Sequence, residues 1–276
     1  MKITPEIITS RKNPLIVLAA SLSEKKYREQ HGLFLAFGHK LCHEAAITGA
    51  PVSHVILSET YAASHKEKIC AEFSAECYKD TELTVVSEGC FEKITTEKAP
   101  DGVILIIKHL DISKKYNKID MEVFEKLGRA IMLCSIRDPG NLGTVLRSAG
   151  AFGISYVILT DDCADVYNPR TVRAAMGAVF RVPTLRVADA TEAVKLLQGQ
   201  GRRVFAAELR EGALPLDGIS PRASDVFIIG NEGHGIPTAL SEACDGSVYL
   251  PIAPEAESLN AATAASILLW EQAKIK

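Results

Sequence analysis

The chain is poor in aromatic residues, which make up 6% of it with a single Trp, and it carries no excess of positive charge. With 31 Lys and Arg against 34 Asp and Glu, its formal net charge is −3. No global field therefore draws it to a polyanion, and a nucleic-acid partner has to be held by a local patch. No apolar run reaches the ~18 residues that a membrane helix needs, and the opening MKITPEIITSRKNP lacks the apolar core of an export signal. A cytoplasmic protein without a membrane partner is the expectation. The seven cysteines are odd in number and form no C-x-x-C pair, which argues for reduced thiols over bridges or zinc ligands. No metal is expected: His39 and His43 share a helical face at i, i+4, but no third ligand accompanies them.

What the chain does have is enough apolar material, 47% of 276 residues, for two modest cores. Helical stretches at 14–22, 39–48 and 66–73 alternate with strand-like runs at 33–37, 52–57 and 103–107. Charge then crowds into KHLDISKKYNKIDMEVFEK, a connector ending in a short helix. Beyond it, strand-like runs recur at 130–136, 156–160, 203–207, 226–229 and 247–250 with helical segments between, the βα alternation of a parallel sheet covered by helices. The expected organisation is a domain at 1–107, a linker at 108–127 and a second domain at 128–276. Arginine is concentrated after residue 128, where it is the better bidentate phosphate ligand.

Three segments of the second half carry candidate chemistry. In RDPGNLGTVLRSAGAFG, Pro139 and Gly140 turn the chain after a strand and Asn141 is placed to cap the following helix. Arg147 then lies about one and a half turns in, either facing the crevice where α/β sheets bind ligands or as an ordinary surface Arg. VFIIGNEGHGI runs a buried-looking strand into a loop whose glycines let backbone amides approach a ligand. Its G-x-x-G-x-G spacing reverses the dinucleotide fingerprint, which disfavours a nicotinamide cofactor, and His234 reads as a solvent-facing loop residue. In LPIAPEAESLNAATAASILLWE a strand meets two prolines and then a helix capped by Ser258, with Asn260 in its first turn. Asn260 either holds a polar ligand there or is incidental to a core helix.

Taken in this order, N-x-G-x-x-x-R at Asn141, Gly143 and Arg147, G-x-E-x-x-G at Gly230, Glu232 and Gly235, and S-L-N at Ser258, Leu259 and Asn260 resemble the signature motifs of the SpoU/TrmH family. That family is the branch of SPOUT methyltransferases acting on the ribose 2′-hydroxyl of ribosomal or transfer RNA. YNPRTVRAAMGAVFRVP is similar to the family's helix after the second strand, and ITSRKNPLIVLAASLSEKKYREQHGLFLAFGHKLCHEA to its small substrate-binding domain. Two positions depart from the pattern: Phe37 replaces a commonly acidic residue, and Cys134-Ser135 stands where an Asp-containing pair often does.

The resemblance implies an α/β protein with a C-terminal SPOUT-type parallel sheet tied in a trefoil knot and a smaller N-terminal α/β/α substrate-binding domain. General topology rules alone predict an unknotted doubly wound sheet. It also implies S-adenosylmethionine held by Gly230, Leu250 and Leu259 with Ile252 and Ser258 adjacent, and homodimers formed through the C-terminal domain. Arg147 is the first candidate for catalysis, with Glu232 and Asn260 to orient it or the ribose and Asn141 in a supporting part. Arg170, Arg173, Lys25, Lys26 and Arg28 are candidate phosphate contacts or solvated helix faces. RNA is the expected partner, ribosomal in preference to transfer RNA. The alternative is a non-catalytic RNA-binding or ribosome-assembly protein on a methyltransferase fold.

Overall fold

The structure, a computed structural model, describes residues 1–95, 100–116, 128–231, 233–253 and 255–275. The short helix expected at the end of the linker lies outside the described residues, as does Glu232. The chain forms two compact units, residues 1–111 with 165–180 and residues 112–164 with 181–276.

In chain order the first unit runs β1 (Lys2–Ile3), α1 (Pro14–Ser21), α2 (Lys25–His31), β2 (Leu33–Phe37), α3 (His39–Thr48), β3 (Val52–Ser58), α4 (Glu59–Glu72), β4 (Glu82–Val86), α5 (Glu88–Ile94) and β5 (Val103–Lys108). The sheet order is β1-β4-β3-β5-β2, with β5 antiparallel to both its neighbours. Asn13 caps α1 by accepting the Leu15 N–H, and Pro14 occupies the first helical position, where a missing N–H costs nothing. The helix expected at 66–73 starts earlier, at Glu59, because Ser58 accepts the Tyr61 N–H. Ile16, Leu35, Ile56, Phe91, Ile104 and Ile106 form a buried core between helices and sheet.

The second unit contains β6 (Ser113–Tyr116), β7 (Ala130–Leu133), α6 (Pro139–Ala151) and β8 (Tyr156–Thr160). The next helix, α7 (Pro169–Ala175), belongs to the first unit. The second unit resumes with β9 (Thr184–Val187), α8 (Ala190–Gly199), β10 (Val204–Ala207), β11 (Leu214–Pro215), β12 (Val226–Ile229), α9 (Thr238–Glu242), β13 (Gly246–Tyr249) and α10 (Ala261–Lys274). All pairings along β11-β13-β10-β12-β7-β8-β9-β6 are parallel. The AIML of β7 and VFII of β12 are buried throughout, as strands covered on both faces must be. β9 escaped the sequence pattern because Arg186 interrupts its apolar run. That guanidinium satisfies the carbonyls of Thr160, Asp161, Cys163 and Ala164.

Small residues let α10 lie close on α6: Ala261, Ala262 and Ala265 are buried and the Ser148 and Ser266 hydroxyls meet at 2.7 Å. At its far end buried Gln272 donates to the carbonyl of Asp225 at 2.6 Å. Among the described residues no helix is long and apolar enough to cross a membrane.

Candidate active site

Both helix caps at the site differ from expectation, and the differences bring the motifs together. Asp138, not Asn141, caps α6, its carboxylate accepting the Asn141 N–H at 2.8 Å while Pro139 takes the first position. Counted from Pro139, Arg147 therefore lies about two turns in. Asn260, not Ser258, caps α10, its Oδ1 accepting from Ala262 at 3.0 Å and Thr263 at 3.3 Å. The Nδ2 of Asn260 donates to Asn141 Oδ1 at 3.0 Å. Capping needs an acceptor and the bridge needs a donor, so an amide serves both where an ionised Asp, which only accepts, serves one. Arg147 is exposed and, among the described residues, makes no hydrogen bond or ion pair.

The glycine loop is closed on itself. Asn231 and Gly235 exchange backbone hydrogen bonds at 3.2 and 2.9 Å, and a Cβ on Gly230 would stand 2.5 Å from the Gly235 carbonyl carbon. Glycine at 230 is thus demanded by the loop's own backbone, and Gly230 does not line the cleft described below. Asn231, passed over in the sequence, organises the loop. Its Oδ1 accepts from Gly233 at 2.9 Å and His234 at 3.2 Å, and its Nδ2 donates to the Ser135 carbonyl at 3.0 Å. The legible signal was the tendency of Asn to bond backbone two residues on.

Ser135 itself is held in the left-handed region, φ 58°. Its N–H donates to Thr160 Oγ1 at 2.9 Å and its hydroxyl to Asp162 at 2.5 Å. Burial alone would raise the Asp162 pKa, but the Ser135 and Thr160 hydroxyls, joined by its own backbone N–H and the Arg137 charge, together outweigh it and hold the carboxyl below its ordinary value. Arg137 lies 3.6 Å away from the same carboxylate.

At the carboxyl ends of β10 and β13 opens a cleft of about 530 Å³. Leu250, Ile252, Ser258 and Leu259 line it, together with Glu208, Leu209 and Tyr249, which the sequence did not single out. Burial pushes the Cys244 thiol up to about 12, with the Glu208 and Asp245 carboxylates pushing the same way.

The expected phosphate contacts divide. Arg170 and Arg173 are exposed on α7, and Lys25 and Lys26 on α2, where Lys25 pairs with Glu29 at 3.7 Å. Arg28 is corrected: it is 2% exposed, donates to the Leu22 and Ser23 carbonyls and pairs with Asp165 at 2.6 Å. On a charged helix it stood as a candidate phosphate contact or a solvated residue, but the guanidinium is spent inside the first unit. His39 and His43 each stand 3.7 Å from Glu72, and among the described residues no group of three has the geometry to hold a metal ion.

The wholly parallel sheet of the second unit, with its cleft at the strands' carboxyl ends, matches the fold of SPOUT methyltransferase structures. The AdoMet-bound rRNA methyltransferase from Sinorhizobium meliloti superposes with a TM-score of 0.81 at 28% identity, covering 99% of this chain and 98% of that one. The SpoU rRNA Methylase family matches residues 128–270 and an MRM3-like substrate binding domain matches residues 13–105. The 23S rRNA (guanosine(2553)-2′-O)-methyltransferase RlmP of Bacillus subtilis is 32% identical over 95% of this chain and 97% of its own. A 23S rRNA (uridine(2479)-2′-O)-methyltransferase of Streptomyces viridochromogenes is 25% identical over 96% and 90%. The chain belongs to the SpoU rRNA methylase family.

Proposed function

We propose that this chain transfers a methyl group from S-adenosylmethionine to a ribose 2′-hydroxyl of ribosomal RNA, working as a homodimer in the cytoplasm. The observation that carries the reading is the Asn260–Asn141 hydrogen bond of 3.0 Å, which joins two motifs 119 residues apart. It does so beside a cleft lined by Leu250, Ile252, Ser258 and Leu259. The choice of ribosomal over transfer RNA is supported by the Bacillus subtilis relative, matched nearly end to end and named for 23S rRNA. The trefoil knot belongs to the same reading, supported by the close packing of α10 on α6.

The cleft suits the cofactor. Its volume of about 530 Å³ falls in the range of small-molecule sites, and apolar side chains alternate with the polar groups of Glu208, Tyr249 and Ser258. When bound, the cofactor supplies an electrophilic methyl group. The protein's own task is to align and activate a poorly nucleophilic hydroxyl. A guanidinium does not give up its proton in proteins, so Arg147 grips the neighbouring phosphate and stabilises charge developing on the 2′ oxygen instead of acting as a base. Asn141 and Asn260 tie together the helix starts that bound this region. Arg170, Arg173, Lys25 and Lys26 add sequence-independent hold on the RNA backbone.

Calorimetric titration with S-adenosylmethionine, followed by transfer of labelled methyl to unmodified ribosomal and transfer RNA, tests this reading. Saturable binding, methylation of ribosomal RNA and a mass of two chains by light scattering are expected. Arg147→Ala is expected to bind cofactor like the unaltered protein and to lose about 10²–10³-fold in transfer rate. Absence of saturable binding would overturn the assignment.

A further inference from the structure

Glu208 stands directly after β10, at the carboxyl end of the strand that pairs with β12 on one side and β13 on the other. It lines the cleft, and its two carboxylate oxygens are unequally used. Oε1 accepts from the Ser241 hydroxyl and from the Ser247 hydroxyl at 2.8 Å, and Arg210 lies 3.6 Å from the same oxygen. Among the described residues nothing donates to Oε2. The side chain is 21% exposed, and Oε2 is not among the buried polar atoms left without a partner, so that oxygen is open to a ligand.

An ionised carboxylate offers about four acceptor sites and no donor. Here one oxygen is anchored by hydroxyls from α9 and β13, which fixes the side chain before any ligand arrives and lowers the ordering cost of binding. Besides Glu208, the charged side chain on the cleft wall is Glu257, also acidic, so the cleft favours a ligand that donates hydrogen bonds over one that brings negative charge. A carboxylate at the end of a parallel strand is well placed to accept from the adjacent hydroxyls of a ribose.

We propose that Glu208 is the anchor for the vicinal ribose hydroxyls of the bound cofactor, Oε2 accepting from them while Ser241 and Ser247 hold Oε1. This inference rests on the S-adenosylmethionine reading above and adds a specificity residue to it. The sequence hid it, because Glu208 lies in none of the three motifs and its role depends on serines 33 and 39 residues further on.

The test uses the full chain and two neutral probes, 5′-methylthioadenosine and its 2′,3′-dideoxy analogue, titrated by calorimetry beside S-adenosylmethionine. The unaltered protein is expected to prefer the diol-bearing probe by about tenfold or more, as a hydrogen bond to a charged group implies. Glu208→Ala is expected to erase that preference. Glu208→Gln, which keeps the side chain's shape and serves if the alanine variant melts early, is expected to reduce it. A purely structural Glu208 would shift melting temperature and all affinities together without changing the ratio. No diol preference in the unaltered protein, or a preference unchanged in the variants, overturns the inference while leaving the cofactor assignment standing. A loss confined to the positively charged cofactor, with both neutral probes unaffected, overturns it in favour of simple charge attraction. Failure of the unaltered protein to bind S-adenosylmethionine at all overturns the cofactor assignment and this inference with it.

Discussion

At the scale of single residues, Asp162 joins an unusual backbone to a titratable group. It receives the hydroxyls of Ser135, at 2.5 Å, and Thr160, at 2.6 Å, and through Ser135 it supports the loop that Asn231 closes. Because its folded pKa lies below the ordinary 3.8, its contribution to stability is complete above that value and is lost as pH falls through the lower folded one. Thermal melts across the acid range should therefore show Asp162→Asn losing stability near neutrality and depending less on pH in the acid limb than the unaltered protein. An identical acid slope in the two proteins would remove Asp162 from this role. Ser135 is held in a left-handed conformation that most side chains avoid by the bonds of its N–H to Thr160 and of its hydroxyl to Asp162.

At the scale of elements, two helices share a start. α6 and α10 are capped by Asp138 and Asn260, and the Asn260 amide also reaches Asn141. Asn260→Ala removes both the cap and the bridge, and is expected to cost about 1–2 kcal/mol in urea unfolding. Asn141→Ala removes the bridge while leaving both capping acceptors, Asp138 and Asn260, in place, and should cost about 1 kcal/mol. A double-mutant cycle should show the two losses to be non-additive, and strict additivity would mean that the 3.0 Å contact contributes nothing. Strand positions were readable because buried parallel strands are runs of apolar β-formers: 156–160 and 226–229 coincide with β8 and β12. The caps were not, because Asp138, Asn141, Ser258 and Asn260 all have the chemistry for the role and sit within three residues of each other in pairs. Of these four, Asn141 and Asn260 meet across the two helices, a contact that the local pattern does not record.

At the scale of the whole molecule, the chain leaves the first unit at residue 111 and returns to it for residues 165–180. That returning segment supplies Asp165 to Arg28 and stacks Tyr167 on Phe34 at 4.4 Å between ring centres. With Arg28 2% exposed, Asp165→Ala strands a buried guanidinium and is expected to destabilise the first unit by about 3–5 kcal/mol, measurable by denaturant unfolding of the full chain. A loss under about 1 kcal/mol, the usual worth of an exposed pair, would show that the ion pair is not the element holding the segment. The sequence by itself determined the α/β class, the strands that build the second sheet and the three motifs that place the chain in its family. These follow from local composition and from residues whose spacing along the chain is the signal. Tertiary structure alone decided that Arg28 faces inward, that Asn260 both caps and bridges, that Gly230 is required by Gly235, and that Glu208 stands in the cleft. Each of these depends on a partner from at most a few positions up to 137 residues away, and a side chain's pattern along the chain carries no record of what folding sets against it.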